Sequence, residues 1–449
     1  MNQALSFLNL SKLCFVGGAI ATTLLTPLSL TFSEPVAAAW EDSPKAVLDE
    51  AWQIVNRDYV DSEFNHVDWQ AMRQSLLSRD YTSREAAYGA LRQALRRLDD
   101  PYTRFLDPQQ YAALTDQTAG EVSGVGIRLQ RDSNSRMVVI VETFEDSPAA
   151  EAGIQAGDRL LMVDGQSTDL LTIEAISQLI RGTEGSQVTL TIGNSDDGQR
   201  RTVIVTRGLI ELATVSYDIK EQNGTTLGYI RLSEFSAHAA EQMEKAIEEL
   251  TKAEVEAFVL DLRGNPGGLL QASIEISRMW LQRGPIVRTV DRSGDSEEIS
   301  ANRTALTQLP LAVLVDNRSA SSSEILTGAL RDNGRATVVG STTYGKALVQ
   351  ALHNLSDGSG LAVTIAHYYT PNGTDISSKG ITPDIQINLT AGERRQLLGN
   401  PQLIATEADP QYARAAALLE ETVLAQREDS NVAIPTSTEV PQVGQGIDL

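Results

Sequence analysis

The chain has 449 residues and 41% hydrophobic content, enough for more than one core and, by length, for about three domains. Its formal net charge of −22 argues against binding nucleic acid or an anionic membrane, because both repel an acidic surface. A single cysteine, Cys14, leaves no disulfide and no thiolate-ligated metal to expect.

At the N-terminus Lys12 precedes an uncharged stretch from Leu13 to Leu30, and Ala37, Ala38 and Ala39 offer small residues for cleavage before Trp40. Residues 1–39 therefore read as an export signal, cleaved or kept as an anchor. Apolar residues then recur at helical spacing from Val47 to Tyr59 and again from Ser83 to Leu98. Residues 40–115 form a helical module, with structural support as its default role.

Residues 116–207 read as a small β-rich domain. Gly124-Val125-Gly126-Ile127 leads to a strand pattern at Met137–Glu142, then a Ser147–Ile154 turn, Gly157–Gly165, a helix at Thr172–Ile180 and a strand at Val188–Ile192. This order resembles a PDZ domain, which binds an extended C-terminal peptide by strand addition and captures its carboxylate in a backbone nest. The nest amides here would be those of Val125, Gly126 and Ile127. A domain used only for packing is the plainer alternative.

Residues 208–395 alternate strand and helix: Leu227–Leu232, His238–Leu250, then Ala257–Leu262 running into Arg263-Gly264-Asn265-Pro266-Gly267-Gly268. A buried-strand run, Leu311–Val315, ends at Asp316-Asn317, and from Ser321 the period turns helical until Asn333-Gly334. Another strand, Ala336–Val339, precedes the loop carrying Lys346, and Leu361–Tyr369 with the Asn372-Gly373 turn closes the unit. Residues 396–426 contain a last helix, Gln411–Gln426, and 427–449 are polar, proline-dotted and expected to be disordered.

Ser321 and Lys346 stand out chemically. A serine hydroxyl needs a base to become a nucleophile, and none of the four histidines sits in a recognisable protease motif. Ser321 would sit on a strand-to-helix turn, where free N–H groups and the helix dipole favour an oxyanion. The glycines at 264–268 would let a second amide approach a reacting carbonyl. A lysine can serve as base only if burial pulls its pKa down from about 10.4, so Lys346 should lie in an apolar pocket without a carboxylate partner. Two other readings share these residues. Ser321 with Glu324 also spells a helix-capping box. Gly340 to Lys346 fits most of a phosphate-binding loop, but Ala347 stands where a Ser or Thr would hold magnesium.

LDDPYTRFLDP, DLRGNPGGLL, SASSSEI and TYGKALVQ occur in one order, and with them the chain from about Val47 to Leu389 resembles the carboxyl-terminal processing peptidases. The resemblance implies a multidomain α+β protein with a helical N-terminal module, a PDZ domain and an α/β protease core of the crotonase-like β-spiral type. It implies Ser321 as nucleophile, Lys346 as general base, Gln350 holding that lysine, and the backbone amides of Gly267 and Ser322 as oxyanion donors. Asp332 would have a supporting role, and Arg181 would couple the PDZ domain to the site. Ser322 replaces the family's usual alanine and Ala347 its usual glycine.

The implied activity is that of an exported serine endopeptidase, in the periplasm or thylakoid lumen, acting on polypeptides with free C-termini without metal or cofactor. The helix Ala51–Val60 leans toward the branch that processes the photosystem II D1 precursor. D1 and other exported clients, membrane proteins among them, both stay open, as does the oligomeric state. A catalytically silent peptide-binding scaffold is the alternative, and an exposed, salt-bridged Lys346 would favour it.

Overall fold

The computed structural model describes residues 43–132, 135–194 and 199–432. The expected export signal and residues 433–449 of the expected disordered tail lie outside them.

Three helices, α1 (Pro44–Asp58), α2 (Trp69–Ser78) and α3 (Arg84–Leu95), open the chain. Ser43, Asp68 and Ser83 cap them by accepting hydrogen bonds from first-turn amides. Their apolar stripes, Leu48, Val55, Leu91 and Leu95 among them, close a core with Phe105, Leu361 and Val363. Phe105 lies on a short strand, β1 (Arg104–Leu106), which carries the module onto the second sheet described below.

The next unit is an antiparallel sheet in the order β2 (Ile127–Arg131), β3 (Val138–Thr143), β4 (Arg159–Val163), β5 (Gln187–Gly193), β6 (Arg200–Thr206). Helix α4 (Ile173–Ile180) lies beside β2 and closes a core with Ile140, Leu160 and Leu190. Among the described residues the second edge of β2 is unpaired, as strand addition requires. A ribbon of Glu121–Gly124 with Gly208–Glu211 joins this unit to the rest.

The core sheet runs β7 (Val215–Gln222), β8 (Thr225–Leu232), β9 (Ala257–Asp261), β12 (Leu311–Val315), β13 (Thr337–Gly340), β16 (Ile385–Gln386). From β8 onward the pairing is parallel, so both faces must be covered. Alternation divides the side chains between the faces. Phe258, Leu260, Val313 and Val315 meet α5 (Ala239–Lys252), α6 (Leu270–Trp280) and α7 (Ser322–Asp332). Ala257, Val259, Ala312 and Leu314 meet the last helix, α9 (Pro410–Val432).

A second sheet places β15 (Gly360–Tyr369) between β1 and β10 (Pro285–Asp291), with β11 (Ser296–Ser300) outside β10 and β14 (Leu348–Asn354) also paired to β15.

One expectation is corrected. Helix α9 continues past Gln426 to Val432, and Arg427, expected in the disordered tail, instead pairs with Glu256. After Lys346 comes a strand, β14, and no helix, which agrees with the sequence reading against a phosphate-binding loop.

Candidate active site

Parallel strands deliver their C-terminal ends to one edge of the sheet, and the site is built there. β9 ends in the Arg263–Gly268 turn, β12 ends just before Ser321, and β13 leads to the Lys346 loop.

Ser321 occupies the N-cap of α7 with φ 53° and ψ −116°, a region costly for any residue with a Cβ. Two restraints hold it there. Its N–H donates to Glu324 Oε2 at 2.9 Å, and Gly267 lies directly against it. A Cβ on Gly267, whose φ is 105°, would stand 2.9 Å from Ser321 Cβ and 3.0 Å from the Ser322 nitrogen. Only glycine allows the two turns to approach so closely. Further bonds lace them together: Ala320 N–H and Ser323 Oγ donate to the Asn265 carbonyl at 3.1 and 3.0 Å, and Ser322 Oγ donates to the Gly268 carbonyl at 3.0 Å.

Glu324 proves to be more than a cap. Its carboxylate is fully buried and accepts four hydrogen bonds, from Ser321 N–H, Lys346 N–H at 2.9 Å, Gly345 N–H at 2.6 Å and Thr343 Oγ1 at 2.6 Å. One side chain thus fixes the serine turn and the lysine loop in a common frame. Burial still raises its pKa despite those donors. Tyr368 adds a second tie, donating from its hydroxyl to the carbonyls of Ser321 and Lys346.

Lys346 is half-buried, and among the described residues its ammonium has no ion pair and no hydrogen bond. Its Nζ lies 4.7 Å from the centroid of the Tyr102 ring. Burial depresses its pKa, with the positive charge of Arg104 adding to the effect against the pull of Asp100 and Glu324. Tyr102 arrives from the helical module. Asp100 accepts from Tyr102 N–H, Thr103 Oγ1 and Thr364 Oγ1, which pins that turn to β15. Burial and the neighbouring Tyr344 phenol push Tyr102 up to about 12, so it is a neutral phenol here.

The remaining candidates fall in several places. The Ser321 side chain and Glu324 form the capping box expected of them, and among the described residues no hydrogen bond joins Ser321 Oγ to Lys346 Nζ. Ser322 N–H is free, whereas Gly267 N–H is donated to Asn265 Oδ1 at 2.9 Å. Gln350 sits on β14 with its amide nitrogen buried and unpartnered. Asp332 does not bond to the serine. It closes the C-terminal end of α7, accepting from Arg331 at 2.8 Å and from Asn372 N–H at 3.1 Å. Arg181 is exposed beyond α4 and has no side-chain partner among the described residues. In the small sheet domain Gly126 has φ 80°, and among the described residues the N–H groups of Val125 and Gly126 have no hydrogen-bond partner.

Sequence reasoning missed Glu324, Tyr102 and Tyr368 as parts of this site. Glu324 stands in SASSSEI and Tyr102 in LDDPYTRFLDP, but an acid in a first helical turn is ordinarily solvated and does not announce its burial. Among the described residues no cluster of His, Cys, Asp and Glu could hold a metal ion, and no helix is long and apolar enough to cross a membrane.

The sequence compares with known proteins on the same ground. Residues 226–387 match the profile of peptidase family S41, and residues 140–193 match that of a PDZ domain. A carboxyl-terminal-processing protease of Picosynechococcus sp. is 43% identical over 397 residues, covering 88% of this chain and 94% of that protein. The chain belongs to the carboxyl-terminal-processing proteases of peptidase family S41. A chloroplastic C-terminal processing peptidase of Tetradesmus obliquus is 38% identical, covering 76% of each chain. The solved structure of a photosystem II D1 C-terminal processing protease superposes with a TM-score of 0.52 at 36% identity, covering 82% of this chain and 99% of that one. The S41 match spans both the Ser321 turn and Lys346, and the PDZ match spans β3 to β5.

Proposed function

We propose that this S41 protease cleaves exported polypeptides near their C-termini through a Ser321–Lys346 dyad. The observation that carries the reading is Lys346, a half-buried cation without a carboxylate partner, framed with Ser321 by one buried glutamate. The silent-scaffold alternative called for an exposed, salt-bridged lysine, and Lys346 is neither.

In this mechanism neutral Lys346 takes the Ser321 proton as Oγ bonds to the scissile carbonyl carbon. The lysine then returns that proton to the leaving amine, giving an acyl-enzyme. Next it takes a proton from water, whose oxygen attacks the ester carbon, and gives that proton to Ser321 Oγ as the acyl bond to the serine breaks. The oxyanion is received by Ser322 N–H at the head of α7 and by Gly267 N–H once that amide leaves Asn265. The absent Ser321–Lys346 hydrogen bond and the engaged Gly267 amide make the present arrangement a resting one, and catalytic bonds in free enzymes commonly tighten only with substrate. Gln350, on the strand that follows the lysine, would hold Lys346 by accepting from its Nζ through Oε1. Asp332 steadies the far end of α7. Arg181, with no side-chain partner of its own, is free to carry the coupling between PDZ domain and site.

The client's carboxylate would dock on the amides of Val125, Gly126 and Ile127 as its last residues add to β2. The protein would work after export, in the periplasm or thylakoid lumen, with the D1 precursor one client among others; a chloroplastic relative and the likeness to a photosystem II D1 processing protease support this reading. The core would be of the crotonase-like type.

The test is cleavage of one unstructured protein with an apolar C-terminus, free or amidated, by the mature chain and by Ser321→Ala. Cleavage that needs both Ser321 and the free carboxylate is expected. Undiminished cleavage by Ser321→Ala would remove the dyad.

A further inference from the structure

A cavity of about 290 Å³ opens at the same edge of the core sheet, walled by strand ends on one side and by helix α8 (Ala391–Gly399) and the segment after it on the other. Four arginines line it, Arg231, Arg263, Arg318 and Arg394, against one carboxylate, Asp316, in a chain whose net charge is −22.

The arginines differ in what they have left to give. Arg263 spends its guanidinium on buried Asp261 and Asp409 and on Gln411. Among the described residues Arg231 makes two long bonds, 3.3 Å to Asp261 and 3.3 Å to the Arg263 carbonyl. Arg318 reaches Asp316 at 3.3 Å through two nitrogens, while Asp316 is already shared with the N–H groups of Gly264 and of Arg318 itself. Arg394 has no side-chain partner among the described residues. Beside these unspent donors the wall is apolar, with Leu397, Ile404 and Leu398, the last 65% exposed at the mouth.

We propose that this cavity binds a monocarboxylate carrying an apolar chain, its carboxylate bridged by Arg394 with Arg231 or Arg318 and its chain laid on Leu397, Leu398 and Ile404. Guanidinium and carboxylate match as planar forks, and a ligand with one charged end and one apolar end satisfies both halves of the wall. The free C-terminus of a peptide ending in an apolar residue and a medium-chain fatty acid share that chemistry. The site is separate from the PDZ nest and does not depend on the Ser321–Lys346 mechanism. Occupation would nonetheless be felt at the active site, because Asp316–Arg318 lies only three residues before Ser321 and Asp316 also holds the Gly264 turn.

The test uses the full Ser321→Ala chain, which does not consume a peptide, with leucine methyl groups labelled for NMR. The probes are N-acetyl-Ala-Leu, its C-terminal amide, and octanoate. Reading the Leu397 and Leu398 methyls separates this site from the PDZ domain. Saturable shifts with N-acetyl-Ala-Leu, octanoate or both, weakened about tenfold or more by Arg394→Gln, are expected. Response to the peptide alone names a polypeptide C-terminus as source, and response to octanoate alone names a fatty acid. Arg394 is exposed, so its replacement leaves the fold intact; the Leu260 and Leu314 methyl shifts from the core sheet verify that in the same sample. Equal binding of the amide, affinity unchanged by Arg394→Gln, or no shift with either acid would overturn the proposal.

Discussion

Two cations sit close to the same edge of the core sheet and have opposite fates. Arg263 is buried among Asp261, Asp409 and Gln411, and although burial alone would lower its pKa, the two carboxylates drive it well above the ordinary value. Lys346 is desolvated without such partners and is driven down. Burial is common to both; the presence of a carboxylate at hydrogen-bond distance decides whether a cation becomes a fixed structural charge or a base. Arg263 ties the head of α9 to the end of β9. Lys346 remains free to exchange a proton.

The largest effects should fall on chemistry at the second site. Ser321→Ala and Lys346→Arg are each expected to lower kcat/KM by about 10,000-fold or more while leaving the circular dichroism spectrum unchanged, since arginine keeps the charge but cannot give up its proton. Activity retained by Lys346→Arg would erase the distinction between the two cations.

Stability should sort them the other way. Asp409→Ala leaves Arg263 buried with one carboxylate fewer and is expected to cost about 3–5 kcal/mol by denaturant unfolding. Lys346→Met should not lower the melting temperature at neutral pH. The sign follows from the depressed pKa. Below the unfolded value of 10.5 the unfolded chain binds the lysine proton more readily than the native one, so this group opposes folding there and ceases to do so as pH rises. A marked loss of stability in Lys346→Met would show that the lysine is held structurally.

Glu324→Gln is expected to be intermediate. An amide nitrogen would replace one of two carboxylate oxygens that together accept four donors, so at least one backbone N–H loses its acceptor. Activity should fall about 100-fold, with a stability loss of about 1–3 kcal/mol. Wild-type kinetics in this variant would reduce Glu324 to the simple cap that its position suggests.

Tyr102 should give the smallest effect and the finest one. The aromatic face 4.7 Å from Nζ favours the ammonium form, so Tyr102→Leu should move the acid limb of the kcat/KM profile to lower pH, while Tyr102→Phe keeps the ring and the limb. Identical profiles for the two variants would remove the ring from the account.

Much of this contrast could be read before the structure. The strand-to-turn punctuation at Leu262-Arg263-Gly264 and Val315-Asp316-Asn317 located the edge of the sheet, and Ser321 with Lys346 stood out because so few other bases were available. What could not be read is the environment. Nothing local to Glu324 says that Thr343, Gly345 and Lys346 will fold back upon it, since those contacts span some twenty residues. Tyr102 reaches Lys346 only because β1 pairs with β15 across more than 250 residues of chain. Helix α9 outran its expected end for a related reason: Arg427 looks solvated in sequence but meets Glu256 in the fold. Side-chain pKa values belong to this second category, because they are set by partners that only tertiary structure supplies.

The most direct measurement is the rate at which an electrophilic serine reagent acylates Ser321 as a function of pH, in the wild-type chain and in Lys346→Arg. A lysine base of depressed pKa predicts a rate that rises through a single ionisation below 10.5, the ordinary lysine value, and an acylation that is nearly lost in Lys346→Arg. A limb at the ordinary lysine value, or equal rates in the two proteins, would contradict the assignment of Lys346 as the base.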